Sequence, residues 1–340
     1  MKEKKLVVGG RLPEGFVLAK PLAQESYDES VIYELEKQGR LIITRKRDGW
    51  KMFAVVGSTG KVRLFTDGLN EVDSRFDHIR KELESLNLTF GTVLVGEAIV
   101  DLEGSDDVTK VISIFHSNTE KSIKFQEANG MAKFMVFGVL FLNIGAVQPL
   151  YWLAYQWLSE RFYSCPLSYV SPAPVLKMSY DQAKKMVIEK EWEGLVLYDK
   201  NYILTYRTDG KNPKRPKGCY KWKPIMEDDF IVILSIHRPE TGVLKELVLM
   251  QIDPANGIEF YCGRLGSFTN QMREELAKLK LPFVVQARFD TRFAKTGKIR
   301  NPRFVRVRDD KNVSGCVAPK SYPNREYMRF LEASWPLKKE

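Results

Sequence analysis

The run Lys46-Arg47-Asp48-Gly49 stands where an apolar segment, LIIT at 41–44, ends. A lysine there is held at a fixed place on a rigid element. Its amine attacks an electrophile only when neutral, which requires neighbouring cations or a metal to depress its pKa. The glycine permits a tight turn and the close approach of a ligand. The same residues also suit a polar hairpin tip, because Asp-Gly is ordinary turn chemistry. Two acids, Glu97 and Glu193, interrupt apolar patterns on separate segments. A carboxylate in such a setting needs a partner or a metal, and a pair of buried salt bridges would satisfy both acids as well. Lys221 and Lys223 alternate about Trp222, which puts both ammoniums on one side of a strand; a solvated strand face has the same pattern. Phe137 sits inside KFMVFGVLF (133–141), as a core aromatic or as a stacking surface.

The elements that carry these residues are legible from periodicity. LIIT (41–44), MFAVV (52–56) and VRLFT (62–66) read as strands joined by tight turns, TVLVGEAIVDL (92–102) as an alternating strand, KFMVFGVLFLN (133–143) as a buried one and GLVLYD (194–199) as another. Helices are predicted at 26–38, with Ser26 or Asp28 as cap and Gly39 as terminator, at 71–86, at 149–162, and at 179–191 behind a Ser179/Gln182 capping box. A basic loop, TDGKNPKRPKG (208–218), precedes YKWKP (220–224), and Pro224 with the acidic run at 227–229 marks a change of character. Short strands follow at 230–236, 246–252, 257–263, 283–289 and 303–308, with one helix at about 269–280. Five strands and a helix are what an OB barrel requires. In the tail, NREYMRFLEASW (324–335) places Tyr327, Phe330, Leu331 and Trp335 on one helical face.

The chain has 340 residues, room for two domains, and its 44% apolar content fills real cores. It carries 53 basic against 43 acidic residues, a formal charge of +10, which favours a polyanionic partner. Four scattered cysteines without a C-x-x-C and only three histidines argue against a zinc site, a disulfide framework or a His-dependent triad. No segment has a signal-peptide or membrane-span pattern, so a cytoplasmic protein is expected.

Taken in order, these motifs resemble the covalent nucleotidyltransferases, the superfamily of ATP-dependent DNA ligases, RNA ligases and mRNA capping enzymes. KRDG resembles motif I, VGEAIV (95–100) motif III, KFMVFGVLF motif IIIa, EGLVLYD (193–199) motif IV, KWKP (221–224) motif V and RNPRFVRVRDDK (300–311) motif VI in its ligase form. GRLGSF (263–268) is similar to a segment of the ligase OB domain, and LAKPLA (18–23) to their entry segment. The departures are Lys51 where motif I usually ends in arginine, Asp67 where the next motif carries one, and Gly138 where motif IIIa commonly has an acid. Arg63 and Arg75 are the candidates to replace the missing arginine. These departures suggest a divergent, small viral or phage-like member.

The resemblance implies an α+β protein: an antiparallel-sheet nucleotidyltransferase domain at 1–225, an OB-fold domain at 226–312, and a tail at 313–340. It implies a lysyl-AMP on Lys46, with Lys221 and Lys223 at the α-phosphate. It places Asp48, Gly49, Lys51, Glu97, Phe137, Arg308 and Lys311 around the ATP. Glu193 and Glu97 would serve Mg²⁺, for which Mn²⁺ can substitute, Glu97 holding the ribose or a metal-bound water. Phe137 would stack on adenine. Arg308 and Lys311 would take the β- and γ-phosphates, which requires their domain to close over ATP and then open for the nick. The implied partner is nicked duplex DNA, bound by a monomer, with KNPKRPK (211–217) and residues 295–308 on its phosphates. An RNA ligase, a capping-type guanylyltransferase and an inactive DNA-binding OB module are the alternatives.

Overall fold

The structure is a computed structural model that describes residues 7, 9–102, 105–142, 148–165, 167–293 and 295–327. The chain divides between Lys223 and Pro224 into two compact units.

The first unit is built on two sheets. One has five strands in the order Val62–Thr66, Trp50–Val56, Val93–Ile99, Lys133–Phe141, Val170–Pro172, antiparallel except for the last pair. The other has three antiparallel strands, Cys219–Trp222, Gly194–Asp199 and Leu41–Lys46. Alternating side chains of one strand feed different cores, as period-two geometry demands. Phe53 and Val55 join Ile42, Val95, Leu140 and Tyr198 in a core supplied by both sheets. Met52, Ala54 and Val56 face the other way, toward Ile79 and Leu83 of the helix Asp77–Ser85 and Ile114 of the helix Val108–His116. Met52 and Phe53 are thus adjacent in sequence, both fully buried and on opposite faces. Each such burial stabilises by about 1.5–3 kcal/mol. On the smaller sheet, Ile43, Leu195 and Leu197 pack on Ile32 and Leu35 of the helix Ser30–Lys37 and on Tyr180, Ala183 and Val187 of Tyr180–Glu189. The unit is therefore layered helix, sheet, sheet, helix.

The capping box of Ser179 and Gln182 is present. The first helix is shorter than expected, Ser30–Lys37. Its Asp28 accepts from the Ser30 N–H at 2.9 Å, and a separate 3₁₀ turn, Gln24–Ser26, takes up the preceding residues. The span 71–86 likewise splits into a 3₁₀ turn, Asp73–Arg75, and the helix Asp77–Ser85, because the Asp73 carboxylate accepts from the Leu64 N–H and pins the entry to the sheet. The sequence reading passed over two helices, Val108–His116 and Thr119–Asn129. They are capped by the side chains of Asp107 and Asn118.

In the second unit five antiparallel strands run in the order Glu259–Leu265, Leu244–Ile252, Met226–His237, Phe283–Phe289, Arg303–Val307, with the helix Asn270–Ala277 between the third and fourth in the chain. The central strand begins at Met226, so it contains the acidic run at 227–229 that reads as a boundary. Phe230, Leu247, Leu249, Phe260 and Leu276 meet in its core. The described tail folds back onto this unit: Tyr322 is buried, the Tyr261 N–H donates to the Glu326 carbonyl at 2.8 Å, and Phe260 bridges Tyr327. Tyr327 is thus extended rather than helical, because the outer edge of Glu259–Leu265 offers it backbone partners. Phe330, Leu331 and Trp335 lie outside the described residues.

Among the described residues no helix is long and apolar enough to cross a membrane. The four cysteines are free thiols.

Candidate active site

Register brings the ends of three strands together. Gly194 stands opposite Lys46, and Leu195 opposite Trp222. Glu193, one residue before its strand, therefore emerges between Lys46 and Lys223. Its Oε2 accepts from Lys46 Nζ at 2.5 Å, and its Oε1 lies 2.8 Å from Lys223 Nζ. The carboxylate is 8% exposed and the two ammoniums about a quarter exposed. Trp222 turns into the core while Lys221 and Lys223 face the other way, the alternation expected from sequence.

The charges act on one another. Burial works to lower the Lys46 pKa, but Glu193, Glu97 and Asp48 outweigh it, and the ammonium titrates above the ordinary lysine range. Burial opposes ionisation of Glu193, yet Lys46 and Lys223 overcome it and hold its pKa below the usual value. Lys221 is lowered by burial, then by Lys223 and Arg215. Burial pushes Glu97 up to about 7 against the pull of Lys46, with Glu193 adding to the rise. The sequence argument requires neighbouring cations or a metal to depress Lys46; among the groups present the carboxylates prevail over burial and Lys46 is a paired cation.

The raised Glu97 has a sign that can be checked. A folded-state pKa above the unfolded one means that the native state binds more protons between about pH 4.5 and 7, so this group's contribution to stability falls as pH rises through that window and is constant above it. Glu97→Gln lacks the effect. The melting temperature of Glu97→Gln minus that of wild type should grow from pH 5 to pH 8 in thermal melts; a difference that stays flat or shrinks would contradict the assignment.

Gly49 is fixed by packing rather than by a left-handed turn. A Cβ there would stand 2.2 Å from the Ala98 carbonyl oxygen and 2.8 Å from Glu97 Cγ. Gly49→Ala must push the loop away from the strand Val93–Ile99, an overpacking cost of about 1–3 kcal/mol. Denaturant unfolding should report the loss, and an unchanged midpoint would rule out this close approach.

Lys51 and Asp67 form an ion pair of 2.8 Å. Met52 opposes Thr66 across the hairpin, so the two departures from the superfamily pattern face each other as a cross-strand pair. Arg63 pairs with Glu71, and Arg75 donates to the Phe115 carbonyl at 2.6 Å. Phe137 is partly buried, packed against the inter-sheet core and against Ile99, Met135 and Ala173. At Gly138 a Cβ would meet Leu204 Cδ1 at 2.9 Å, so Leu204 fills the space an acid would need.

Sequence reasoning missed Asp106. Its carboxylate, 4% exposed, takes Arg47 Nη1 at 2.7 Å, Arg45 Nη2 at 3.2 Å and the Asp48 N–H at 3.1 Å. Arg45 also lies over the Trp192 ring, 4.6 Å from its centroid. In the second unit, Arg308 Nη1 and Lys311 Nζ converge on Asp229 Oδ2 at 2.8 and 2.7 Å, and Asp310 takes the other edge of the guanidinium. Asp229 belongs to the acidic run that marked only a boundary in the sequence. Among the described residues no three His, Cys, Asp or Glu side chains gather as a metal-binding group.

No protein-family model matches the chain, and no curated protein matches it in sequence. Solved structures do. Pmar-Lig_PreS3 superposes with a TM-score of 0.61 at 19% identity, over 85% of this chain and 67% of that one. A Lig E DNA ligase, from a structure–function analysis of DNA binding with a minimal scaffold, gives 0.60 at 18% identity, over 86% of this chain and 99% of that one. The chain thus shares the α+β fold of the minimal ATP-dependent DNA ligases, an adenylation domain followed by an OB domain.

Proposed function

We propose that the chain is an ATP-dependent DNA ligase that seals 5′-phosphate/3′-hydroxyl nicks in duplex DNA. Lys46 Nζ attacks the α-phosphate of ATP, forming a phosphoramide bond as the bond to pyrophosphate breaks. The AMP passes to the 5′-phosphate of a nick and frees Lys46. The 3′-hydroxyl then attacks that phosphate, and AMP leaves as the backbone closes. Covalent catalysis replaces one difficult step by easier transfers. The observation that carries this reading is the buried Glu193 carboxylate shared by Lys46 and Lys223, at strand ends, in a chain with the ligase fold.

Each side chain has a task in this reading. Lys46 must give up a proton to water to attack, so Glu193, which holds the ammonium, must be drawn off it when ATP arrives. Lys221 and Lys223 take the charge that builds on the α-phosphate. The pKa of Lys221 is depressed first by burial and then by the neighbouring cations Lys223 and Arg215, whose crowding an anion would relieve. Phe137 offers a face to adenine. Arg308 and Lys311 take the β- and γ-phosphates once released from Asp229. Glu193 and Glu97 both act on Lys46 and are hard oxygen donors. They suit Mg²⁺, which takes one or two carboxylates and completes its shell with phosphate and water oxygens, and Mn²⁺ shares that preference. When bound, the ion neutralises phosphate charge.

The test is sealing of a 5′-phosphorylated nick in duplex DNA, with ATP and Mg²⁺, read on a denaturing gel. A joined strand with ATP and none with GTP supports the reading. Joining of RNA ends alone, or covalent labelling by GTP alone, moves the assignment to an RNA ligase or a capping-type enzyme. DNA binding with no covalent nucleotide leaves an inactive binding module.

A further inference from the structure

We propose that Asp106 is the positioning residue for the nucleophile, an inference that rests on Lys46 being the adenylated lysine. Lys46 is fixed on its N-terminal side by strand pairing with Gly194. Beyond Lys46 the chain leaves the sheet, and ladder hydrogen bonds resume only at Trp50. Asp106 fills that gap. Its two oxygens hold the side chains on either side of Lys46, those of Arg45 and Arg47, and the backbone N–H of Asp48. Three donors on one carboxylate, from residues 45, 47 and 48, leave Lys46 little room to shift along or across the strand end. The carboxylate also balances charge. Asp106 lies within ion-pair distance of both guanidiniums that flank Lys46, and Arg47 also reaches Asp101 at 3.7 Å.

The anchor is itself held. Asp106 precedes the helix Val108–His116, which Asp107 caps through the Thr109 and Lys110 N–H groups. At its far end Phe115 stacks on Trp50, the residue after Gly49, with ring centroids 5.0 Å apart and planes 14° apart. The helix therefore grips the lysine loop at both ends, by charge at residues 45–48 and by stacking at residue 50.

A displaced attacking atom loses rate steeply, about 10²-fold for a shift near 1 Å. The experiment compares wild type, Asp106→Asn and Asp106→Ala in two assays: covalent AMP transfer from labelled ATP, and sealing of a nick that already carries AMP on its 5′-phosphate. The second assay does not use Lys46. The expected result is a loss of about 10²-fold in the AMP-transfer rate at saturating ATP for Asp106→Ala, a smaller loss for the isosteric Asn, little change in the KM for ATP, and near wild-type sealing of the pre-adenylated nick. Asp106→Asn guards against an alanine variant that fails to fold. Wild-type AMP-transfer rates in both variants would overturn the inference, as would equal losses in both assays, which would mean a fold-wide role. If wild type itself took up no AMP, the ligase reading would fall, and this inference with it.

Discussion

Lys46→Ala should form no covalent nucleotide and seal no ordinary nick, yet it should still close a nick whose 5′-phosphate already carries AMP. The first half follows because no other group can take its place. Lys223 lies near, but as the second partner of the Glu193 carboxylate rather than at the strand end that Lys46 occupies, and Lys221 stands two residues before it. The second half follows because the final step needs only the 3′-hydroxyl, the activated phosphate and the cations that hold it. The alanine also leaves Glu193 with Lys223 as its remaining ion-pair partner, so the site keeps a compensated charge. Gel assays of both substrates would decide it. Residual labelling of Lys46→Ala, at a rate comparable to wild type, would show that the nucleophile lies elsewhere.

Glu193→Gln should have the next largest effect. The carboxylate is nearly buried and holds two ammoniums at once. An amide of the same shape keeps one acceptor and loses the charge, so both cations lose this counter-charge while Lys46 keeps the attraction of Glu97 and Asp48. The Lys46 pKa would fall, and its neutral amine would become easier to form. Against that, the site loses an anionic oxygen that could hold a divalent ion and the link that sets Lys46 relative to Lys223. Loss of one preorganised electrostatic partner at a reacting centre costs on the order of 10²–10³ in rate. We expect single-turnover AMP transfer by Glu193→Gln to fall by about that factor. A variant as fast as wild type, or faster, would mean that the carboxylate only stores Lys46 and takes no part in the transfer.

Much of this site was legible because it interrupts regular patterns. Lys46, Glu193 and Lys223 each stand at the edge of an apolar run, and a charge there has few places to go except toward another charge. The residues missed were those whose partners are distant in the chain. Asp106 reads as one member of a short acidic run, and nothing in its neighbours signals Arg45, Arg47 and the Asp48 N–H some sixty positions earlier. Asp229 lies in another acidic run and is named only by strand pairing that brings Arg308 and Lys311 to it. The helix Thr119–Asn129 escaped because its apolar residues are few and do not mark a face.

Hairpin register was partly recoverable. Strands at 52–56 and 62–66 joined by a short turn place residue 51 against residue 67, so the Lys51–Asp67 pair could have been read from the two departures together. The charge state of Lys46 could not. It depends on the balance of burial against Glu193 and Glu97, and that balance exists only once three separate strands have been packed.

The most direct test of the account is to locate the nucleotide. Wild-type protein incubated with ATP and Mg²⁺ and no DNA would be digested and its peptides mapped by mass spectrometry. The account predicts the mass of one AMP on the peptide containing Lys46, released when nicked duplex DNA is added. AMP on another residue, or covalent nucleotide that nicked DNA does not discharge, would contradict it.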